Sequence, residues 1–336
     1  MYLFNHSKII VVGDGKWGLA LAKCLSQSGI VLVNVVSRRP VCQALSRALE
    51  HYPDWPRTIN MVSDLTQVFC RESIIVVATS SQGVGSVLSR VLDLNPKALV
   101  VCAAKGLSKD RGRVVFHHEL FVSLGGDLHH FAYLSGPSFA QEVYDGAITR
   151  VTLACAKEAL FDGFTDACEQ NTNLSFSHTQ DYIGVALCSV FKNVMAVLCG
   201  VVSVCVVSEN TRAAFMVGCL RDITEVVKAC GGAQDTVYGY AGLGDILLSA
   251  TSVQSRNFKL GVLWYQQGDF PKIGQLCEGV SNVALLSQYL SVRGLESRLV
   301  KMCMDLLESP SHIKSLAPAW LQRFLSGSLE FADLVD

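Results

Sequence analysis

The chain has 336 residues, half of them hydrophobic and 17% charged, with 28 Lys and Arg against 29 Asp and Glu. That length suffices for two cores, since chains beyond about 250–300 residues usually divide, and so even a charge balance lacks the basic footprint that nucleic-acid binding requires. Thirteen cysteines spread from Cys24 to Cys303 without CxxC pairs, which excludes a disulfide framework or structural zinc site and suits reduced thiols in a cytoplasmic protein.

In chain order, Met1 to Ser7 shows no basic segment leading into an apolar run and a small-residue cleavage site, so no secretory signal is expected. Short apolar runs then alternate with helical segments, the pattern of a doubly wound parallel sheet covered on both faces. Lys8 to Val12 reads as the first strand, Trp17 to Ser28 as a helix ended by Gly29, Val31 to Val36 as a second strand and Val41 to Glu50 as a helix. A weak third strand spans Ile59 to Val62. Ser73 to Ala78 and Ala98 to Ala103 are dense in Val, Ile or Ala, as doubly buried strands should be. Phe131 to Leu134, Thr149 to Ala156 and Leu174 to Ser177 complete the strand candidates. The pairs His117-His118 and His129-His130 point adjacent side chains apart, so they do not suggest a metal site.

From Tyr182 the character changes to helices: Ile183 to Val207, Arg212 to Ala229, Ser255 to Gln267, Val280 to Val292, Ser297 to Leu307 and Ala317 to Leu325. The reading is therefore an α/β chain with an N-terminal Rossmann-like doubly wound domain over 1–180 and an all-α domain over 181–336. Tyr182 to Val207 approaches the length of a membrane span. Lys192 and Asn193 interrupt it too deeply to snorkel, and a helix at the centre of a globular domain is apolar all round as well, so a core helix is expected and no membrane span.

The run from Ile9 to Gly18 places a G-x-G-x-x-G directly after a strand and opens a helix. Gly13 makes the tight turn, Gly15 lets backbone approach a pyrophosphate, and Gly18 lets helix and strand pack closely. The helix start adds amide donors and a positive dipole end for phosphates. About twenty residues on, where NAD-selective sites carry an acid for the ribose hydroxyls, this chain has Ser37-Arg38-Arg39. Forked guanidinium donors suit a 2′-phosphate, so NADP(H) is favoured, with NAD(H) as the alternative.

Four further segments carry chemistry. Lys105-Gly106 follows the strand Ala98 to Ala103, putting a cation at the carboxyl edge of the sheet, where ligands bind. Ser135-Gly136-Pro137-Ser138 with Phe139 to Val143 follows the strand ending at Leu134 and offers amides and a hydroxyl at the same edge. Lys192-Asn193 lies inside the long apolar helix, with Cys188, Ser189, Met195 and Ala196 as its small or apolar helical neighbours. An ammonium there needs a purpose, and desolvation moves its proton affinity toward a useful range for proton transfer. Gly242-Leu243-Gly244-Asp245 and Ser255-Arg256-Asn257 flank a short helical stretch.

Together, in this order, these segments resemble the NAD(P)-dependent glycerol-3-phosphate dehydrogenases, particularly the bacterial type. The resemblance runs over nearly the whole chain and includes Asn210 to Ala214, Tyr240 to Asp245, Gln254 to Asn257 and Glu278-Gly279. It implies a homodimer that reduces dihydroxyacetone phosphate to sn-glycerol 3-phosphate and feeds glycerophospholipid synthesis. It implies that Lys192 exchanges the proton at the substrate's C2 oxygen with Asp245 beside it, that Lys105, Gly136 and Ser138 line the substrate, and that Ser255, Arg256 and Asn257 hold its phosphate. Gly13, Gly15, Lys16, Trp17, Gly18, Arg38, Arg39, Lys105, Ala140, Arg256, Leu276 and Glu278 fall to the cofactor. A reductase of 3-hydroxyacids or ketopantoate would need a carboxylate site in place of the phosphate grip. The chain departs from the family at Lys16, commonly serine; at Leu19, commonly threonine or a small residue; at Ala186, commonly glutamate; at Gly218, frequently arginine; and at Ser249, commonly threonine.

Overall fold

β-branched side chains suit a pleated surface covered on both faces, and the Val- and Ile-rich runs of the first half form strands accordingly. In the computed structural model, which describes residues 8–28, 32–169, 172–271 and 278–326, the chain divides into two units, Met1–Ala186 and Leu187–Asp336. The first opens with β1 (Lys8–Val12), α1 (Lys16–Ser26), β2 (Leu32–Val36), α2 (Val41–His51), β3 (Asn60–Val62), β4 (Ile74–Val77), α3 (Ser81–Leu94) and β5 (Leu99–Cys102). It continues with β6 (Leu107–Asp110), β7 (Arg113–Phe116), α4 (His117–Ser123), β8 (Phe131–Ser135), α5 (Ala140–Tyr144), β9 (Thr149–Cys155), α6 (Glu158–Glu169) and β10 (Leu174–Thr179).

Eight of these strands form one sheet in the order β10-β9-β8-β5-β4-β1-β2-β3. The order reverses between β1 and β4, the switch point at which doubly wound sheets bind ligands. Ile9, Ile10, Val11 and the whole of Ile74–Val77 are fully buried. The sheet is parallel from β3 to β8, whereas β9 runs antiparallel to β8 and parallel to β10. An all-parallel sheet, the expectation from alternating elements, is thus interrupted at one flank, because α5 is followed by a turn at Gly146 (φ +83°) and the chain returns beside β8.

Two elements escape the apolar pattern. The N-terminal half of α3 is built of Ser, Gln and Gly, yet Val84, Leu88 and Val91 are buried at helical spacing. The β6–β7 hairpin turns through Arg111 and Gly112, both at positive φ (48° and 80°), the backbone of the two-residue turn that matches strand twist.

The second unit holds most of α7 (Tyr182–Cys205), then α8 (Glu209–Ala229), α9 (Gln234–Tyr238), α10 (Asp245–Thr251), α11 (Arg256–Gln267), α12 (Glu278–Ser281), α13 (Val283–Ser291), α14 (Arg298–Glu308) and α15 (Ile313–Ser326). The segment expected as one helix from Val280 is two, parted at Asn282. The most apolar window of α7 has a mean hydropathy of 2.1 and is entirely buried in the protein. Gly218, where an arginine is frequent in the family, lies beneath the Phe324 ring, which a Cβ would meet at 2.6 Å.

Adjacent histidines are part of the first unit's core. His117 Nδ1 lies 3.6 Å from Cys102 Sγ, and His118 shares the Tyr133 hydroxyl at 3.2 Å and stacks on Tyr182. Burial pushes both imidazoles down to about 4. A folded-state pKa below the unfolded 6.5 adds stability that is complete above pH 6.5 and disappears as pH falls toward 4, on the order of 3 kcal/mol per histidine. The melting temperature is therefore expected to drop between pH 6.5 and 4, and His118→Phe to flatten that slope; equal slopes in both proteins would refute this origin of acid sensitivity.

Candidate active site

Three glycines shape the loop after β1, each for a different physical reason. Gly13 adopts φ +130°, and a Cβ on it would lie 2.6 Å from the Ala78 carbonyl oxygen at the end of β4. A Cβ on Gly18 would overlap the Gly13 carbonyl. Protein packing alone accounts for these two. At Gly15 a Cβ would meet nothing within 4 Å, so this glycine leaves space outside the protein, at the N-terminus of α1. No side chain caps that terminus and its first turn carries no acid, which leaves amide donors and the positive dipole end directed at the same space. This open cradle fits a dinucleotide pyrophosphate.

Lys16, the first residue of α1, is exposed, and its carbonyl accepts from the Tyr52 hydroxyl at 3.0 Å. Trp17 packs against the sheet core, and its indole N–H is buried with no partner among the described residues. Arg38 is exposed after β2. Arg39 is engaged: its Nη1 lies 2.7 Å from both carboxylate oxygens of Asp14, and Ser37 Oγ donates to Asp14 at 2.9 Å. Burial alone would push the Asp14 carboxyl up, but the bonds from Arg39 and Ser37 outweigh it and hold the group below the usual carboxylate range. The motif reading passed over Asp14; the signal was an acid inside the glycine loop facing two arginines after β2.

The same carboxyl edge of the sheet carries the other expected groups of this unit. Half-buried Lys105 follows β5. Gly136 follows β8 at φ +152°, where a Cβ would sit 2.8 Å from Val151 Cα, and Ser138 Oγ donates to the Gly136 carbonyl at 2.9 Å. Ala140 opens α5.

In the second unit, Lys192 on α7 and Asp245 at the start of α10 are 8% and 1% exposed, and Nζ lies 2.5 Å from Asp245 Oδ1. A carboxylate thus provides the counter-charge that a desolvated ammonium requires. Asp245 is delivered by a π-helical turn over Tyr240–Gly244, a form that clusters at functional sites. A Cβ on Gly242 would overlap the Val237 carbonyl, so the turn needs glycine there. Ser249, one turn further along α10, is buried.

Beside the ion pair, Asn257 Nδ2 donates to Asn193 Oδ1 at 2.9 Å, Gly279 N–H donates to Asn257 Oδ1 at 3.1 Å, and Asn193 Nδ2 reaches the Ser189 carbonyl at 3.4 Å. This network is within reach because α7 and α11 touch backbone to backbone. A Cβ on Gly200 would overlap the Phe258 carbonyl, and one on Gly261 the Val197 carbonyl. Neither glycine carried a signal in the sequence.

Ser255 caps α11, its Oγ accepting from Phe258 N–H at 3.3 Å; a hydroxyl that accepts an amide still has its proton to donate. Arg256 is exposed at that N-terminus. The Asn257 side chain ties Asn193 to Gly279 through Oδ1 and one of its two Nδ2 protons, so the phosphate expected from the motif would accept from the second Nδ2 proton. Glu278 begins α12, with its side chain outside the described residues, as is all of Leu276. Among the described residues no group of three or more His, Cys, Asp or Glu is arranged to hold a metal.

Comparison with known proteins follows the same division. Residues 8–161 match the model for the NAD-dependent glycerol-3-phosphate dehydrogenase N-terminus, and residues 181–317 match that for its C-terminus. The glycerol-3-phosphate dehydrogenase (NAD(P)+) of Rhodospirillum rubrum is 35% identical over 260 residues, covering 75% of this chain and 73% of its own. That of Pseudoalteromonas translucida is 29% identical over 327 residues, 94% of this chain and 97% of its own. The crystal structure of glycerol-3-phosphate dehydrogenase from Coxiella burnetii superposes with a TM-score of 0.86 at 27% identity, covering 95% of this chain and 99% of that one.

The asparagine pair is a structural tie that can be tested apart from chemistry. Asn257→Asp replaces the donor to Asn193 Oδ1 with an acceptor and sets lone pairs against each other. We expect a loss of about 2 kcal/mol in urea unfolding. An unchanged midpoint would show that the network does not hold α7 to α11.

Proposed function

The chain belongs to the NAD-dependent glycerol-3-phosphate dehydrogenase family, and from that premise we propose that it reduces dihydroxyacetone phosphate to sn-glycerol 3-phosphate. NAD(P)H supplies the hydride when bound. The observation that carries the reading is the buried Lys192–Asp245 pair, a proton-bearing cation held in a dry site by one carboxylate. As hydride reaches C2, negative charge develops on the C2 oxygen; the Lys192 ammonium stabilises that charge and then transfers its proton there. Asp245 keeps Nζ in place and offsets the positive charge before substrate binds.

The substrate phosphate falls to the N-terminus of α11. Ser255 donates its hydroxyl proton, Arg256 offers two parallel guanidinium donors, and Asn257 contributes its backbone amide and the second proton of Nδ2. Binding energy from this remote phosphate serves the reacting carbonyl. Lys105, Gly136 and Ser138 line the triose, by analogy with the family. On the cofactor side the glycine cradle takes the pyrophosphate, with Lys16, Trp17, Ala140, Leu276 and Glu278 as further contacts. Arg38 and Arg39 favour NADP(H) over NAD(H), and how far they do so depends on the partner Arg39 has in Asp14. The same reading makes the protein a cytoplasmic homodimer with no nucleic-acid partner. The complete burial of the apolar window of α7 supports a core helix rather than a membrane span.

Two variants test the mechanism. Lys192→Ala is expected to lower turnover with dihydroxyacetone phosphate by roughly 10³-fold or more, while nicotinamide cofactor binding, followed by fluorescence, stays within about twofold of the parent. Near-normal turnover would sink the assignment. Asp245→Asn should also depress turnover, and should destabilise the protein by about 3 kcal/mol because it removes the negative charge that offsets a buried ammonium; chemical denaturation beside the spectrophotometric assay reads both effects.

A further inference from the structure

The donors that follow β2 have a partner inside the protein. Ser37 Oγ donates to Asp14 Oδ2 at 2.9 Å and accepts from Arg39 N–H at 3.0 Å. Arg39 Nη1 sits 2.7 Å from each Asp14 oxygen, and Arg47 Nε reaches the Asp14 carbonyl at 3.3 Å. A hydroxyl and a guanidinium converging on one anion, with the hydroxyl itself held by a main-chain N–H, is a donor set that suits a ribose 2′-phosphate. Here the anion is the protein's own carboxylate, on a side chain 12% exposed. The Arg39 side chain remains 44% exposed, so its outer face stays open to solvent while its charge is offset from within.

We propose that Asp14 is a cofactor-specificity residue: by occupying Ser37 and Arg39 it holds down affinity for a 2′-phosphate and keeps the site open to NAD(H) beside NADP(H). The inference rests on reading this loop as the dinucleotide site. A 2′-phosphate arriving at Ser37 and Arg39 meets a second anion that is already hydrogen-bonded there, and the two like charges share one guanidinium. Arg38, exposed after β2, is the cation left for the phosphate. A nucleotide with a plain 2′-hydroxyl meets no such repulsion. The carboxylate beside Ser37 offers it an acceptor of the kind that NAD-selective sites place at the end of β2, here carried by the glycine loop instead.

Titration calorimetry of the full chain with NADP+ and with NAD+ tests this without any turnover. Asp14→Asn keeps the shape of the side chain and removes its charge. It is expected to tighten NADP+ roughly tenfold, the effect of one charge at a partly exposed site, and to leave NAD+ within about twofold. Arg39→Gln leaves the Asp14 carboxylate without its counter-charge and is expected to weaken NADP+ roughly tenfold, and Asp14→Asn in that background to recover most of the loss; that recovery reads the Asp14 charge even if a single variant is less stable. An unchanged NADP+ to NAD+ ratio, weaker NADP+ binding, or an equal loss of both nucleotides would overturn the proposal, the last by showing that Asp14 only shapes the loop. Dihydroxyacetone phosphate takes no part in the titration, so an error in the substrate reading leaves the ratio legible. Binding of neither nucleotide by the parent would overturn the cofactor reading together with this one.

Discussion

A lysine in the middle of an apolar helix is the constraint on which the second unit depends. Taking an ammonium out of water costs several kcal/mol even after the surroundings relax, and only a well-placed opposite charge offsets it. The 2.5 Å contact from Lys192 to Asp245 meets that need, but only if the start of α10 is fixed beside α7. The π-helical turn over Tyr240–Gly244 and the glycine at 242 fix it. The cation that the proposed reaction uses as its proton donor is thus also a structural liability, and the surrounding sequence is constrained by that liability.

The neighbouring asparagines extend this constraint. Asn193 is one residue from Lys192, and its bond to Asn257 ties the polar stretch of α7 to the first turn of α11. Gly200 and Gly261 let the two backbones meet, and Gly279 donates into the same network from α12. Arg256 and Ser255, which the proposed reaction assigns to the substrate phosphate, belong to the helix start that this network anchors. The proposed phosphate grip on α11 and the proposed proton donor on α7 therefore sit on two helices that these hydrogen bonds tie together within the second unit. A side chain added at any of the three glycines would move one relative to the other.

Strand density and glycine spacing made much of the architecture legible. Val and Ile runs located each strand of the large sheet to within about two residues, because a doubly buried strand tolerates little else. The long apolar helix and its buried Lys-Asn pair were equally plain. Hidden features shared one cause: their determinants are tertiary. α3 begins with Ser, Gln and Gly and is helical because Val84, Leu88 and Val91 find a core to face. The β6–β7 turn uses Arg111 at positive φ, where an Asn or Asp would have announced a hairpin. The reversal of β9 leaves no mark in a run that reads alike in either direction. Gly218 reads as a missing arginine in the sequence, and in the fold Phe324 lies across it; Asn257 reads only as a phosphate ligand, and in the fold its side chain also ties Asn193 to Gly279.

The glycine loop shows how motif and structure divide the explanation. Gly13 and Gly18 are required by backbone that the protein itself places against them, whereas the space at Gly15 is left for something else. A fingerprint treats the residue between the first two glycines as blank. In this chain it is Asp14, and the tight turn at Gly13 delivers its carboxylate to the end of β2, onto Ser37 and Arg39. Two arginines counted along the sequence are two cations for a phosphate; in the fold, one of them already has an anion. Cofactor preference at such a site follows from the local sum of charges that the loop brings together, and that sum includes a residue some twenty positions from those the usual rule inspects.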